Sequence, residues 1–138
     1  MKDELLSIGE VARRFEIRAS ALRYYEELGI LTPTSRDGGR RWYGAAELRR
    51  LALIQIWSTS GGMSLGDIAR ILAGPSPDRA HWKAVVRARI EELDELVQRS
   101  QEARSYLAWM LACTRDNPGL ECSKVCADAQ TFVDERLR

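Results

Sequence analysis

From Trp82 onward, the residues Trp82, Val86, Ile90, Leu93, Val97, Ser100, Ala103, Leu107 and Met110 recur at steps of three or four. A seam sustained over about four heptads predicts one helix of some 30 residues, roughly 45 Å long at 1.5 Å per residue. The chain has only 138 residues, too few to bury such a stripe within one subunit. Pairing with the same helix of a second copy is the simplest cover, so a homodimer is expected. Gly74-Pro75-Ser76-Pro77-Asp78 precedes the helix as the one clear linker. The expected division is residues 1–74 for an N-terminal lobe, 75–112 for linker and dimerisation helix, and 113–138 for a C-terminal segment.

The N-terminal lobe reads as helices interrupted by a hairpin. Ser7-Ile8-Gly9-Glu10 has the capping-box pattern, and Ile8, Val11, Ala12 and Phe15 follow at helical spacing. After a polar break at Glu16 to Arg18, a second helix carries Ala21, Leu22, Tyr25 and Leu28 on its inner stripe, with Gly29 as its stop. Two short helices joined this way form a helix-turn-helix. Pro33 disfavours further helix, and Asp37-Gly38-Gly39 is hairpin-turn chemistry, which predicts a two-stranded wing with Arg36, Arg40 and Arg41 at or near its tip. A third helix is predicted from about Ala45 to Ser58, with Leu48, Leu51, Ile54 and Trp57 on one face, ending before Gly61-Gly62. Ser64-Leu65-Gly66-Asp67-Ile68-Ala69-Arg70 then echoes Ser7-Ile8-Gly9-Glu10-Val11-Ala12-Arg13 type for type. Convergent capping or two related elements would both produce that echo. The fold class is all-α with a small β-hairpin wing: a winged helix-turn-helix lobe, a long dimerisation helix pairing with its copy, and a Cys loop with a short helix at about Ser123 to Arg136.

Charge narrows the partners. The net charge is +1, yet residues 12–50 hold nine Arg and no Lys against five acids, a local excess of +4. Arginine suits bidentate phosphate contact, so this segment suggests a polyanion, although a solvated surface has the same composition. The least charged stretch, Leu51 to Leu65, includes Gln55, Ser58, Thr59 and Ser60; it cannot cross a bilayer, which needs about 20 apolar residues. The opening MKDELLSIGE is acidic where a secretory signal is basic and apolar. Three Cys, an odd number, do not make a secreted disulfide framework. A cytoplasmic chain with no membrane partner is expected. An enzyme is not: there is no Gly-rich phosphate loop or Ser-His-Asp set. The lone His81 is separated from Cys113 by 32 positions along one predicted helix.

The residues Ile8-Gly9-Glu10-Val11-Ala12, Ala21-Leu22-Arg23-Tyr24-Tyr25-Glu26-Glu27-Leu28-Gly29-Ile30-Leu31, Arg36, and Gly39-Arg40-Arg41-Trp42-Tyr43 resemble the DNA-binding lobe of the mercury-resistance regulator (MerR) family. The resemblance extends over nearly the whole chain. It implies a homodimer whose long helices pair as an antiparallel coiled coil, on double-stranded promoter DNA, with recognition helices in the major groove and a spacer bent and untwisted so that RNA polymerase engages both promoter elements. Carried over by position, Ser20, Arg23 and Tyr24 of the second helix face DNA, with Arg36, Arg40, Arg41 and Tyr43 from the wing. The chain departs from many relatives at Ser20, where they have Arg, at Ala21, where they have Thr, and at Arg40, where they have Tyr. The Ser20 change weakens a base-facing contact, and the extra wing arginine adds phosphate affinity. Tyr25 reads as core. Trp42 reads either as a cap on the lobe or as a DNA contact, and Arg49 and Arg50 as solvation of the third helix for at least one of them.

The resemblance also bears on the effector. Cys113 and Cys122, separated by eight residues with Asn117-Pro118-Gly119 between them, match the family's metal-sensing loop. Thiolates suit Cu(I), Ag(I), Hg(II) or Zn(II), and two alone favour a monovalent ion, a tetrahedral divalent site needing more ligands. The family's cross-subunit Cys falls near Asp78 here, which puts a trigonal thiolate site in doubt. Cys126 and His81 are the further candidate ligands, with a buried hydrophobe and a polar helix start as their alternatives. Three Cys do not supply a four-thiolate iron–sulfur cluster, and no organic cofactor is expected. A redox or electrophile sensor using the same Cys pair is the competing reading. A third is a small organic ligand seated on Trp82, Tyr106 and Trp109.

Overall fold

A computed structural model of the chain describes residues 4–72 and 81–138. The expected linker from Gly74 to Asp78, and with it the position matched to the cross-subunit Cys, lies outside the described residues. The chain forms two compact units, divided between Arg89 and Ile90.

In the first unit, Ser7 caps α1 (Ile8–Arg14) by accepting the Glu10 N–H at 3.3 Å. Glu16 takes a φ of 52°, uncommon for a residue with a side chain, in the turn to α2 (Ala19–Glu27). Gly29 takes a φ of 73° just past that helix, the left-handed stop its position predicts. The wing follows as β2 (Ser35–Asp37) and β3 (Arg40–Tyr43), joined by Gly38 and Gly39 at φ 56° and 78°. Two consecutive left-handed residues make the turn type whose twist matches a hairpin.

The sheet has three strands, not the expected two. β1 (Leu6–Ser7) lies on the far side of β3, giving the order β1-β3-β2, all antiparallel. Two residues are too few to show the alternation by which a strand is read from sequence. Leu6 pairs with Tyr43 and Ser7 with Trp42, so the wing is anchored to the start of α1.

α3 (Ala45–Thr59) and α4 (Leu65–Leu72) complete the described lobe. Ser64 accepts the Asp67 N–H at 3.1 Å, so the two echoing segments share one capping contact. The core comprises Leu6, Val11, Leu22, Ile30, Leu31, Tyr43, Leu51, Ile54 and Ile68, with Tyr25, Leu48 and Trp57 packed partly buried against it. Leu28 departs from the predicted inner stripe and is exposed.

α5 (His81–Leu111) has 31 residues, about 46 Å at 1.5 Å per residue. The second unit holds its later part, then α6 (Pro118–Glu121) and α7 (Ser123–Arg136). None of residues 90–138 is buried. No helix among the described residues is long and apolar enough to cross a membrane.

Candidate DNA-binding face and thiol pair

Ser20, Arg23 and Tyr24 stand at i, i+3 and i+4 on α2, so they share one helix face, and all three are exposed. Arg36 and Arg40 are exposed on the wing, whereas Arg41 is half-buried. Arg36 pairs with Arg41 across the β2–β3 ladder, and Asp37 with Arg40. Glu26, near the end of α2, binds both members of the first pair. Its Oε2 accepts from Arg41 Nε at 2.5 Å, and its Oε1 makes an ion pair with Arg36 Nη2.

Tyr43 is not on this surface, contrary to its assignment by resemblance. It is 1% exposed, with its ring in the core and its hydroxyl without a hydrogen-bond partner among the described residues. Residues two apart on a strand share a face, so Tyr43 lies on the side of β3 that carries Arg41. Burial pushes its hydroxyl pKa up, and the guanidinium charges of Arg41, Arg36 and Arg23 oppose that shift. Trp42, between them, is half-buried.

Two polar contacts fix the lobe behind this face. The Thr34 hydroxyl accepts the Gly44 N–H at 2.8 Å and donates to Glu47 at 2.6 Å. Gly44 is the N-cap of α3 and has no side chain to cap with; Thr34 instead holds the Gly44 N–H itself, which ties the connection before the wing to the start of α3. The Thr34 hydrogen bond holds the Glu47 carboxyl below its ordinary pKa, with backbone N–H groups at Glu47 and Gly44 adding to it. Arg50 donates Nε to Ile30 O at 2.5 Å and Nη2 to Leu72 O at 3.0 Å.

In the second unit, Cys113 follows the end of α5 and donates its N–H to Met110 O at 3.1 Å. Asn117 and Pro118 turn the chain into α6, and Cys122 is the N-cap of α7. The loop brings the Cys113 thiol near enough to Cys122 to help lower its pKa. The Cys122 pKa is lowered first by the Val125 N–H, then by the Lys124 N–H, the Cys113 thiol and the Arg115 charge, against a desolvation effect. A helix N-terminus that offers N–H groups to sulfur favours thiolate. Both Cys are half-buried.

Cys126 does not join them. It is exposed, and its thiol faces the Gly119 carbonyl at 3.5 Å. His81 is the first described residue of α5, in the first unit. Among the described residues, no three His, Cys, Asp or Glu side chains gather to hold a metal ion. Two soft thiols, one biased toward thiolate, suit a thiophilic ion, and two ligands match the linear geometry that a monovalent ion accepts.

Sequence reasoning overlooked Glu26, although a signal for it was present. A two-residue turn at Gly38-Gly39 fixes Arg36 opposite Arg41, and two like charges facing each other across a ladder call for an acid between them.

Comparisons with known proteins agree with this arrangement. The family model described as "MerR HTH family regulatory protein" matches residues 6–74, and the one described as "MerR, DNA binding" matches residues 48–110. A "Probable heavy metal-dependent transcriptional regulator" of Haemophilus influenzae is 33% identical over 129 residues, 85% of this chain and 94% of that protein. The "HTH-type transcriptional activator SoxR homolog" of Chromobacterium violaceum is 32% identical over 107 residues, 70% of this chain and 72% of that protein. Among solved structures, a MerR family regulator from Bacillus cereus superposes with a TM-score of 0.66 at 25% identity, over 96% of this chain and 99% of its own.

Proposed function

This chain belongs to the MerR family of helix-turn-helix regulatory proteins, and from that premise we propose that it is a homodimeric, cytoplasmic activator induced by a thiophilic metal ion. The chain is a transcriptional regulator with a DNA-binding domain, in a family of regulators and not of enzymes. In the proposed mechanism α2 enters the major groove with Ser20, Arg23 and Tyr24, while Arg36, Arg40 and Arg41 hold backbone phosphates. Those contacts fix the duplex while its spacer is bent and untwisted, so that RNA polymerase engages both promoter elements.

Cys113 and Cys122 are the proposed ligands. The observation that carries this is their convergence at the end of the long helix, with the Cys122 thiol lowered toward thiolate. Bridging them ties the end of α5 to the start of α7, which is how a signal at the loop reaches the helix. The relative described as heavy metal-dependent supports the class of effector. Two thiolates favour Cu(I) or Ag(I). Zn(II) or Hg(II) calls for further ligands, for which a residue of a second copy would be the source.

The same thiol pair supports a second reading, oxidation to a disulfide or modification by an electrophile, because a lowered thiol is also the reactive one. One titration separates the two. Reduced, metal-free protein is titrated with Cu(I), Zn(II) and Hg(II) against a competing chelator, beside the Cys113→Ser, Cys122→Ser variant. Stoichiometric, tight binding that the variant loses is the expected result. Weak or variant-insensitive binding removes the metal and leaves thiol oxidation or an organic ligand.

A further inference from the structure

α2 and the wing meet through one acid. Glu26 is on α2, its side chain 13% exposed, and each of its carboxylate oxygens engages a different wing arginine. Arg36 and Arg41 are direct partners across the ladder. Without an acid between them, two positive charges would face each other, an arrangement that weakens a strand pair. Arg41 uses only its Nε on Glu26, and among the described residues no other group takes its terminal nitrogens. That leaves a guanidinium fixed at one end with donors to spare at the other.

Resting on the reading of α2 and the wing as the DNA face, we propose that Glu26 is a positioning residue for DNA binding. It locks Arg36 and Arg41 to the recognition helix, so that wing and helix meet the duplex as one body and the spare N–H groups arrive oriented for phosphate. A carboxylate in that place has an opposing effect, because it puts a negative charge beside a polyanion. Electrostatics alone and positioning therefore predict opposite signs when the charge is removed.

Glu26→Gln keeps the size of the side chain and removes its charge. If charge alone matters, the variant binds DNA more tightly, with an equal or steeper dependence on salt. If Glu26 positions the arginines, the variant binds more weakly despite its extra positive charge. The loss is then about tenfold, the size of one charge-assisted hydrogen bond. The slope of log affinity against log salt should also become shallower by about 0.9 for each phosphate no longer neutralised. That slope separates positioning from simple destabilisation, since a partly unfolded sample lowers apparent affinity equally at every salt concentration.

The experiment measures binding of the full chain to a mixed-sequence 30-base-pair duplex across a salt series. Wild type, Glu26→Gln, the Arg36→Ala, Arg41→Ala pair, and the triple combination are compared, each with a thermal melt. Weaker binding and a shallower slope for Glu26→Gln, with no further change when it is added to the arginine pair, is the expected outcome. Tighter binding, an unchanged slope, or a Glu26→Gln effect that persists without the two arginines each overturns the proposal. Wild-type binding that does not respond to salt would instead overturn the DNA-face reading on which it rests.

Discussion

Arg50 ties together three parts of the lobe with one side chain. Its guanidinium donates to the carbonyl of Leu72, in α4, and to that of Ile30, in the connection after α2. Both acceptors are part-buried main-chain carbonyls, and a partly buried carbonyl that loses its donor is costly. Replacing Arg50 by Ala is expected to destabilise the lobe by about 1.5–3 kcal/mol, as for hydrogen bonds to a charged group. Urea unfolding should show this as a lower midpoint with an unchanged slope; a midpoint that does not move would return Arg50 to the solvated surface. Sequence could not single Arg50 out from Arg49, because its partners are main-chain atoms, which carry no residue signature. Tyr43 is the converse case. The family resemblance makes it a DNA contact, whereas its burial in the core, beside its pairing with Leu6, places it inward.

At the scale of elements, the helices were legible because their apolar positions repeat and their ends carry capping residues. α7 runs over Ser123–Arg136 as its pattern predicts, and α3 ends one residue later than expected. The pieces that were not legible, β1 and α6, have two and four residues, about one period each, so no repeat could show. The join between the wing and α3 also escaped, because the hydroxyl that holds the Gly44 N–H comes from Thr34, ten residues before it. That join has a pH dependence whose sign is fixed. Glu47 has its pKa lowered in the folded protein, chiefly by the Thr34 hydroxyl. Its contribution is therefore complete above the ordinary carboxylate range and fades as the pH falls through the lowered value. Wild type should melt above Glu47→Gln at neutral pH, and the gap should close as the pH drops below about 4. A gap that stays constant from neutral pH into acid would show that the carboxylate contributes nothing through its ionisation.

For the molecule as a whole, the decisive fact is what α5 leaves uncovered. Ile90, Val97 and Leu107 are 52%, 54% and 58% exposed, and nothing in residues 90–138 is buried. A seam of this kind, left in water, forfeits about 1.5–3 kcal/mol for each large side chain that a partner would enclose. Its heptad spacing was plain in the sequence because the repeat is long, whereas the single position buried on this helix, Val85 at 2%, lies off that seam. The proposed solution is a twofold pairing of α5 with its copy, and twofold symmetry makes every seam residue count twice. Leu107→Glu should then raise the dimer dissociation constant at least about 100-fold, the equivalent of some 3 kcal/mol. Sedimentation of wild type at micromolar concentration should give a dimer, and of the variant a monomer. DNA affinity should fall with it, because a single lobe reaches only one half-site. The lobe should still melt as before, since Leu107 belongs to the second unit. A monomeric wild type, or a variant that remains dimeric, would mean that the seam is covered by something other than a second copy of itself.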